Sequence, residues 1–161
     1  MPRPAFFGRP ASALTPGGAC ICVYLVPVHQ RRLVVFDVAA RQARGRWLPW
    51  DVMEFGTNPY ETAAALADDW CGGAIASLTL ADVMSFPLDA GGWELAIVFR
   101  AELAATPPAD DARSPFTFPE GVVDAIARFD PADLERWVQA GPQASASPPA
   151  PTPPPRPRLL F

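Results

Sequence analysis

Apolar residues crowd into two early runs, Ala19–Val28 and Arg31–Ala39. Both are rich in Val, Ile, Leu, Tyr and Phe, and His29-Gln30 lies between them, so the pattern predicts a β-hairpin. A basic loop, Arg41 to Arg46, and a short apolar stretch, Trp47–Trp50, follow. The next segment changes period. Asn58 is a good N-cap, Pro59 suits the first helical position, and Glu61 stands at the third, which predicts a helix to about Trp70. Gly72-Gly73 supplies a left-handed C-cap. Ala76–Val83 alternates as a strand does, and Gly92–Leu103 has the continuous apolar centre of a strand covered on both faces. Thr106–Pro119 reads as a Pro/Asp-rich loop. Glu120–Phe129 carries Val122, Val123, Ile126 and Phe129 on one helical side. Ala132–Ala140, after Asp130-Pro131, carries the stripe Leu134, Trp137 and Val138 before Gly141. The order predicts an α+β domain, with one mixed sheet between helices.

Composition sets the limits of that domain. A chain of 161 residues, half apolar and 19% charged, can bury a core. Eight of the 21 prolines fall in the last 20 positions. The division is therefore a proline-rich arm at 1–18, a domain at 19–141 and a proline-rich tail at 142–161. The tail favours polyproline II, which builds no core, and it is a candidate docking peptide that presents Arg156, Arg158 and Leu159-Leu160-Phe161 to a protein partner. In the arm, Phe6 and Phe7 are the residues suited to docking. A second copy of the chain is the other partner considered.

Charge and reactive residues exclude several classes. All 13 basic residues are arginine, which removes any lysine-based nucleophile, Schiff base or Walker A motif. A net charge of -4 argues against coating nucleic acid. The longest apolar run is too short for a membrane helix. With three cysteines and no secretory signal, the expected location is cytoplasmic. Cys20 and Cys22 share one face of their strand; burial in packing is the expectation, since a zinc site needs ligands that a chain with one histidine lacks. His29 itself is expected to be solvated in its turn. Trp47, Trp50, Phe86 and Trp93 are candidate ligand-binding residues, because flat aromatic faces stack on nucleobases; the alternative places Trp47 and Trp93 in the core.

The segment Gly45–Gly73, GRWLPWDVMEFGTNPYETAAALADDWCGG, resembles the signature region of Nudix hydrolases. Trp47, Leu48, Pro49, Glu54, Gly56, Pro59 and Gly72 carry the resemblance. It implies a Nudix-like α/β/α sandwich over about residues 19–140. In that family, carboxylates on the box helix hold Mg2+ or Mn2+, which polarises a pyrophosphate and activates water. Here the chemistry departs from the pattern. Asp51 stands where the box opens with glycine, Thr57 where a glutamate is expected, and Ala65-Leu66 where the family has Arg-Glu. Asp69 keeps one acidic position, Trp70 replaces the next and Gly73 replaces the final aliphatic residue. Trp50 stands where the family has glycine, so the resemblance implies that its indole would obstruct phosphate entry as a plug, the alternative to its binding a ligand.

These departures predict loss of the metal site. The helix face through Asp69 consists of Thr62, Ala65, Leu66 and Gly73, so it offers a single carboxylate, whereas hard divalent ions need several oxygens. Glu61 and Asp68 lie on the neighbouring face, about 10 Å apart along the axis. The residual metal candidates are Glu54, Asp68 and Asp69. The expectation is a catalytically impaired Nudix-like module, with no confident catalytic residue and no cofactor, that binds a nucleotide or metabolite or joins a protein complex. The alternative is a divergent pyrophosphohydrolase that cleaves a nucleoside diphosphate linked to another moiety. It would use Mg2+ or Mn2+ on Asp69 with Glu54, Asp51 or Asp68. A third reading, an unrelated α+β adaptor, requires that the helix not pack beside the Trp47–Gly56 loop.

Overall fold

The computed structural model describes residues 19–39, 45–54, 56–88, 92–121 and 124–141. The arm 1–18 and the tail 142–161, with their expected docking roles, lie outside the described residues. The first strand, β1 (Ala19–His29), is followed by β2 (Arg32–Val38), β3 (Gly45–Trp47), β4 (Trp50–Val52), α1 (Pro59–Cys71), β5 (Ile75–Pro87), β6 (Trp93–Leu103), β7 (Arg113–Thr117) and α2 (Pro131–Gln139).

β1 is the spine. It runs parallel to β6 from Ala19↔Trp93 to Val28↔Glu102, and β5 continues the sheet antiparallel to β6. On its other edge β1 takes β4 at Cys22–Tyr24 and β2 only at the hairpin end. β2 then leaves β1 and pairs with β3 and β7. Residues 22–28 of β1 are all buried because both faces are covered, which explains the unbroken apolar run. Val23 and Leu25 meet Ala63, Leu66 and Ala67 of α1 on one side. Tyr24, Val26 and Val28 meet Phe129, Leu134 and Trp137 on the other. The result is an α/β/α sandwich around a mixed sheet.

α1 forms where its caps place it. Asn58 Oδ1 accepts from Tyr60 N–H at 2.9 Å, and Gly72, at φ 70°, ends the helix in the left-handed region. The helix packs beside β4 and the loop that follows it, so the reading as an unrelated fold fails.

Four expectations need correction. The hairpin turn is Gln30-Arg31, both at positive φ as a two-residue type I′ loop requires, rather than His29-Gln30. His29 stays in β1 and is half-buried, because its Nδ1 lies 3.0 Å from the Leu103 carbonyl oxygen; it is not a freely solvated imidazole. β7 forms inside the expected loop Thr106–Pro119 and tolerates Pro115 on its way past Phe36. No helix forms over the described part of Glu120–Phe129. Gly121 and Ala127 take positive φ, and Ile126 and Phe129 exchange both backbone hydrogen bonds around a tight turn. Burial of Ile126 and Phe129 outweighs helical period there, and Pro131 blocks continuation.

Candidate functional site

Two clefts of about 430 Å³ each lie on the domain. The first runs between β4 and α1. Asp51, Glu54, Thr57, Glu61, Thr62 and Asp69 line it together with Val52, Ala65 and Leu66. Asp51 sits on β4 opposite Val23, the α1 side of the sheet, and its Oδ1 accepts from Val52 N–H at 2.7 Å. Glu54 belongs to a turn closed by Thr57, whose N–H and Oγ1 both donate to the Glu54 carbonyl. Glu61 and Asp69 stand about 12 Å apart along the helix axis.

Asp69 does not face the cleft unpaired. Arg113 of β7 grips it with two nitrogens, Nη1 to Oδ2 at 2.7 Å and Nη2 to Oδ1 at 3.2 Å. The same guanidinium bonds Asp110 through Nε at 3.2 Å and lies 4.7 Å from the Trp70 ring centroid. Hydrogen bonding by Arg113 holds the Asp69 carboxyl below its usual range, and Asp69 in turn raises the Arg113 guanidinium. Among the described residues, no group of three or more His, Cys, Asp or Glu side chains is placed to hold a metal ion. As it stands, the donor set does not fit a hard divalent cation. Asp68 lies off the cleft; its Oδ1 would be 2.9 Å from a Cβ at Gly73. Of the residual candidates, the structure brings Glu54 and Asp69 to one cleft and leaves Asp68 out, while Glu61 joins them.

The second cleft lies on the α2 side of the sheet, between Trp47, Phe86, Pro87, Leu88, Ala127 and Arg128. Phe86 pairs with Glu94 across β5 and β6, which sets both on that side. Glu94 is only 4% exposed. Its Oε1 accepts from Tyr24 O–H at 2.9 Å and its Oε2 from Arg128 Nη1 at 2.9 Å, so the buried charge is paired. Burial, and then the bond to Glu94, pushes the Tyr24 phenol up. Arg128 stands 5.5 Å from the Phe86 ring centroid. The guanidinium has five N–H donors, and the Glu94 bond engages one of them.

The four aromatic candidates therefore divide. Trp47 and Phe86 share this cleft. Trp50 stacks on Tyr24, with centroids 6.3 Å apart and planes at 25°. Trp93 alternates with Glu94 along β6 and so belongs to the α1 side. Cys20 and Cys22 do share a face, with sulfurs 3.3 Å apart, and burial raises the Cys22 thiol. Arg113, Arg128 and Glu94 were missed from sequence. Glu94 did leave a signal: a charge inside the apolar run of a central strand implies a buried partner.

No family model matches the chain, and no curated protein matches it. Solved structures do. A MutT NUDIX hydrolase from Burkholderia pseudomallei aligns with a TM-score of 0.59 at 17% identity, over 73% of this chain and 97% of that one. A NUDIX hydrolase from Nitrosomonas europaea aligns at 0.51 and 13% identity, over 62% and 72%. A MutT/nudix family protein from Enterococcus faecalis aligns at 0.51 and 13%, over 70% of this chain and 45% of that one. At such identities the likeness is one of fold: the chain has the Nudix-like α/β/α architecture. No helix among the described residues is long and apolar enough to cross a membrane.

Proposed function

We propose that this Nudix-like domain binds a nucleotide or related metabolite without hydrolysing it. The observation that carries the reading is the two-point ion pair between Arg113 and Asp69. A carboxylate with both oxygens on a guanidinium has its best lone pairs engaged. A cation at that place must first displace an arginine that is also held by Asp110 and Trp70. The ligand sits in the other cleft, with its planar ring against Trp47 and Phe86 and its anionic group on Arg128. Isothermal titration with nucleotides, dinucleotides and nucleotide sugars tests this. Binding in the absence of metal, lost in Phe86→Ala and unaccompanied by phosphate release, is the expected result. A flat titration ends the reading.

One observation favours the alternative, a pyrophosphohydrolase acting on a nucleoside diphosphate linked to another moiety. Asp51, Glu54, Glu61 and Asp69 surround one cleft. That reading requires Arg113 to release Asp69. Hydrolysis of any member of the panel with Mn2+, abolished by Asp69→Ala, establishes it. The tail Pro142–Phe161 remains a proposed protein-docking segment, tested by its deletion in a pull-down.

A further inference from the structure

An apolar patch lies on the α1 side of the sheet, beyond the N-terminal end of α1. Leu80 and Val83 pair with Phe99 and Ile97, and directly opposed residues share a face. Phe99 packs under α1, but Leu80 is 46% exposed and Val83 51%. Tyr60, at the first turn of α1, is 50% exposed and meets Phe99 edge-on at 4.7 Å. Ile97, Leu95 and Trp93 continue the patch along β6, each half-buried. A contiguous apolar surface of this kind marks an interaction site. It plays no part in either cleft.

We infer that this patch is the docking site of the chain's own residues 1–18, with Phe6 and Phe7 as the anchors. Three observations select that occupant. Residues 1–18 join β1 at Ala19, which pairs with Trp93, so they enter at the far end of the patch. The tail instead follows α2, which packs on the opposite side of the sheet. The reach suffices: twelve residue steps separate Phe7 from Ala19, up to roughly 40 Å of extended chain, against about 20 Å from Trp93 to Phe99 along β6. The inference is independent of what either cleft binds.

The test uses the full-length chain with labelled Leu and Val methyls and labelled Phe rings. Nuclear Overhauser contacts from the Phe6 or Phe7 ring to the Leu80 and Val83 methyls are expected. The double variant Phe6→Ala/Phe7→Ala should shift those two methyl signals and leave the core methyls of Val26 and Leu134 in place, which also reports an intact fold. Unmoved Leu80 and Val83 signals overturn the inference. So does a concentration-dependent shift accompanied by a dimer in sedimentation that Val83→Asp dissociates, since the occupant is then a second copy.

Discussion

The two clefts lie on opposite sides of one sheet, and each is lined by one member of an arginine–carboxylate pair, Asp69 in the first and Arg128 in the second. They differ in which partner is buried. Beside α1 the carboxylate is the exposed member: the Asp69 side chain is 64% exposed, while Arg113 is largely covered. Beside α2 the carboxylate is the buried member, and Arg128 is the one that reaches solvent. A covered arginine that satisfies its neighbours closes a site, whereas a half-exposed arginine anchored by a buried glutamate presents donors to a ligand. The difference explains why the cleft with four carboxylates is the poorer candidate for binding an anionic metabolite. It also predicts that matched substitutions on the two sides will act very differently.

The largest difference should appear when each carboxylate is removed. Glu94→Ala leaves the buried Tyr24 hydroxyl without its acceptor and Arg128 without its anchor, and should cost about 1–3 kcal/mol in urea denaturation. Asp69→Ala removes an exposed partner and should cost under about 1 kcal/mol. Equal costs would erase the distinction. Next in size is the effect of the arginines on ligand. Arg128→Met should weaken an anionic ligand about tenfold, or ~1.4 kcal/mol, in titration. Arg113→Met should leave that affinity unchanged; a comparable loss from Arg113→Met would move the ligand to the α1 side.

The smallest expected effect is a pH dependence. Arg113 depresses the Asp69 carboxyl below its ordinary value of 3.8. A depressed acid binds fewer protons in the folded state, so its contribution is full above the unfolded value and fades as pH falls through the folded one. The stability difference between the native chain and Asp69→Asn should therefore be flat from neutral pH to about 5 and shrink below about 4. A difference that grows on acidification contradicts the ion pair.

Local features were readable in the chain. The Asn58 cap, Pro59, Gly72 and the apolar period placed α1 within one residue of its ends, and the continuous apolar centre of Gly92–Leu103 predicted a strand covered on both faces, where Val98 to Ala101 are buried. Short-range readings failed where distant contacts decided the outcome. Residues 113–117 look like loop because their strand partner is β2, far back in the chain. The stretch before Pro131 carries a helical period, yet it closes into a turn because Ile126 and Phe129 bury against the sheet and Arg128 meets Glu94. The Nudix-like fold was recognisable from the lead-in and caps of residues 45–73. The arginine that pairs with Asp69 was not visible, since Arg113 lies 44 positions from it.

By itself, then, the sequence determined the helix caps and the buried strands, because each depends on residues within a few positions of one another. Only the tertiary structure decided which arginine meets which carboxylate, which aromatic rings share a cleft and which part of the sheet is left uncovered. Those outcomes depend on strand register and on packing between segments dozens of residues apart, where no local preference distinguishes one partner from another.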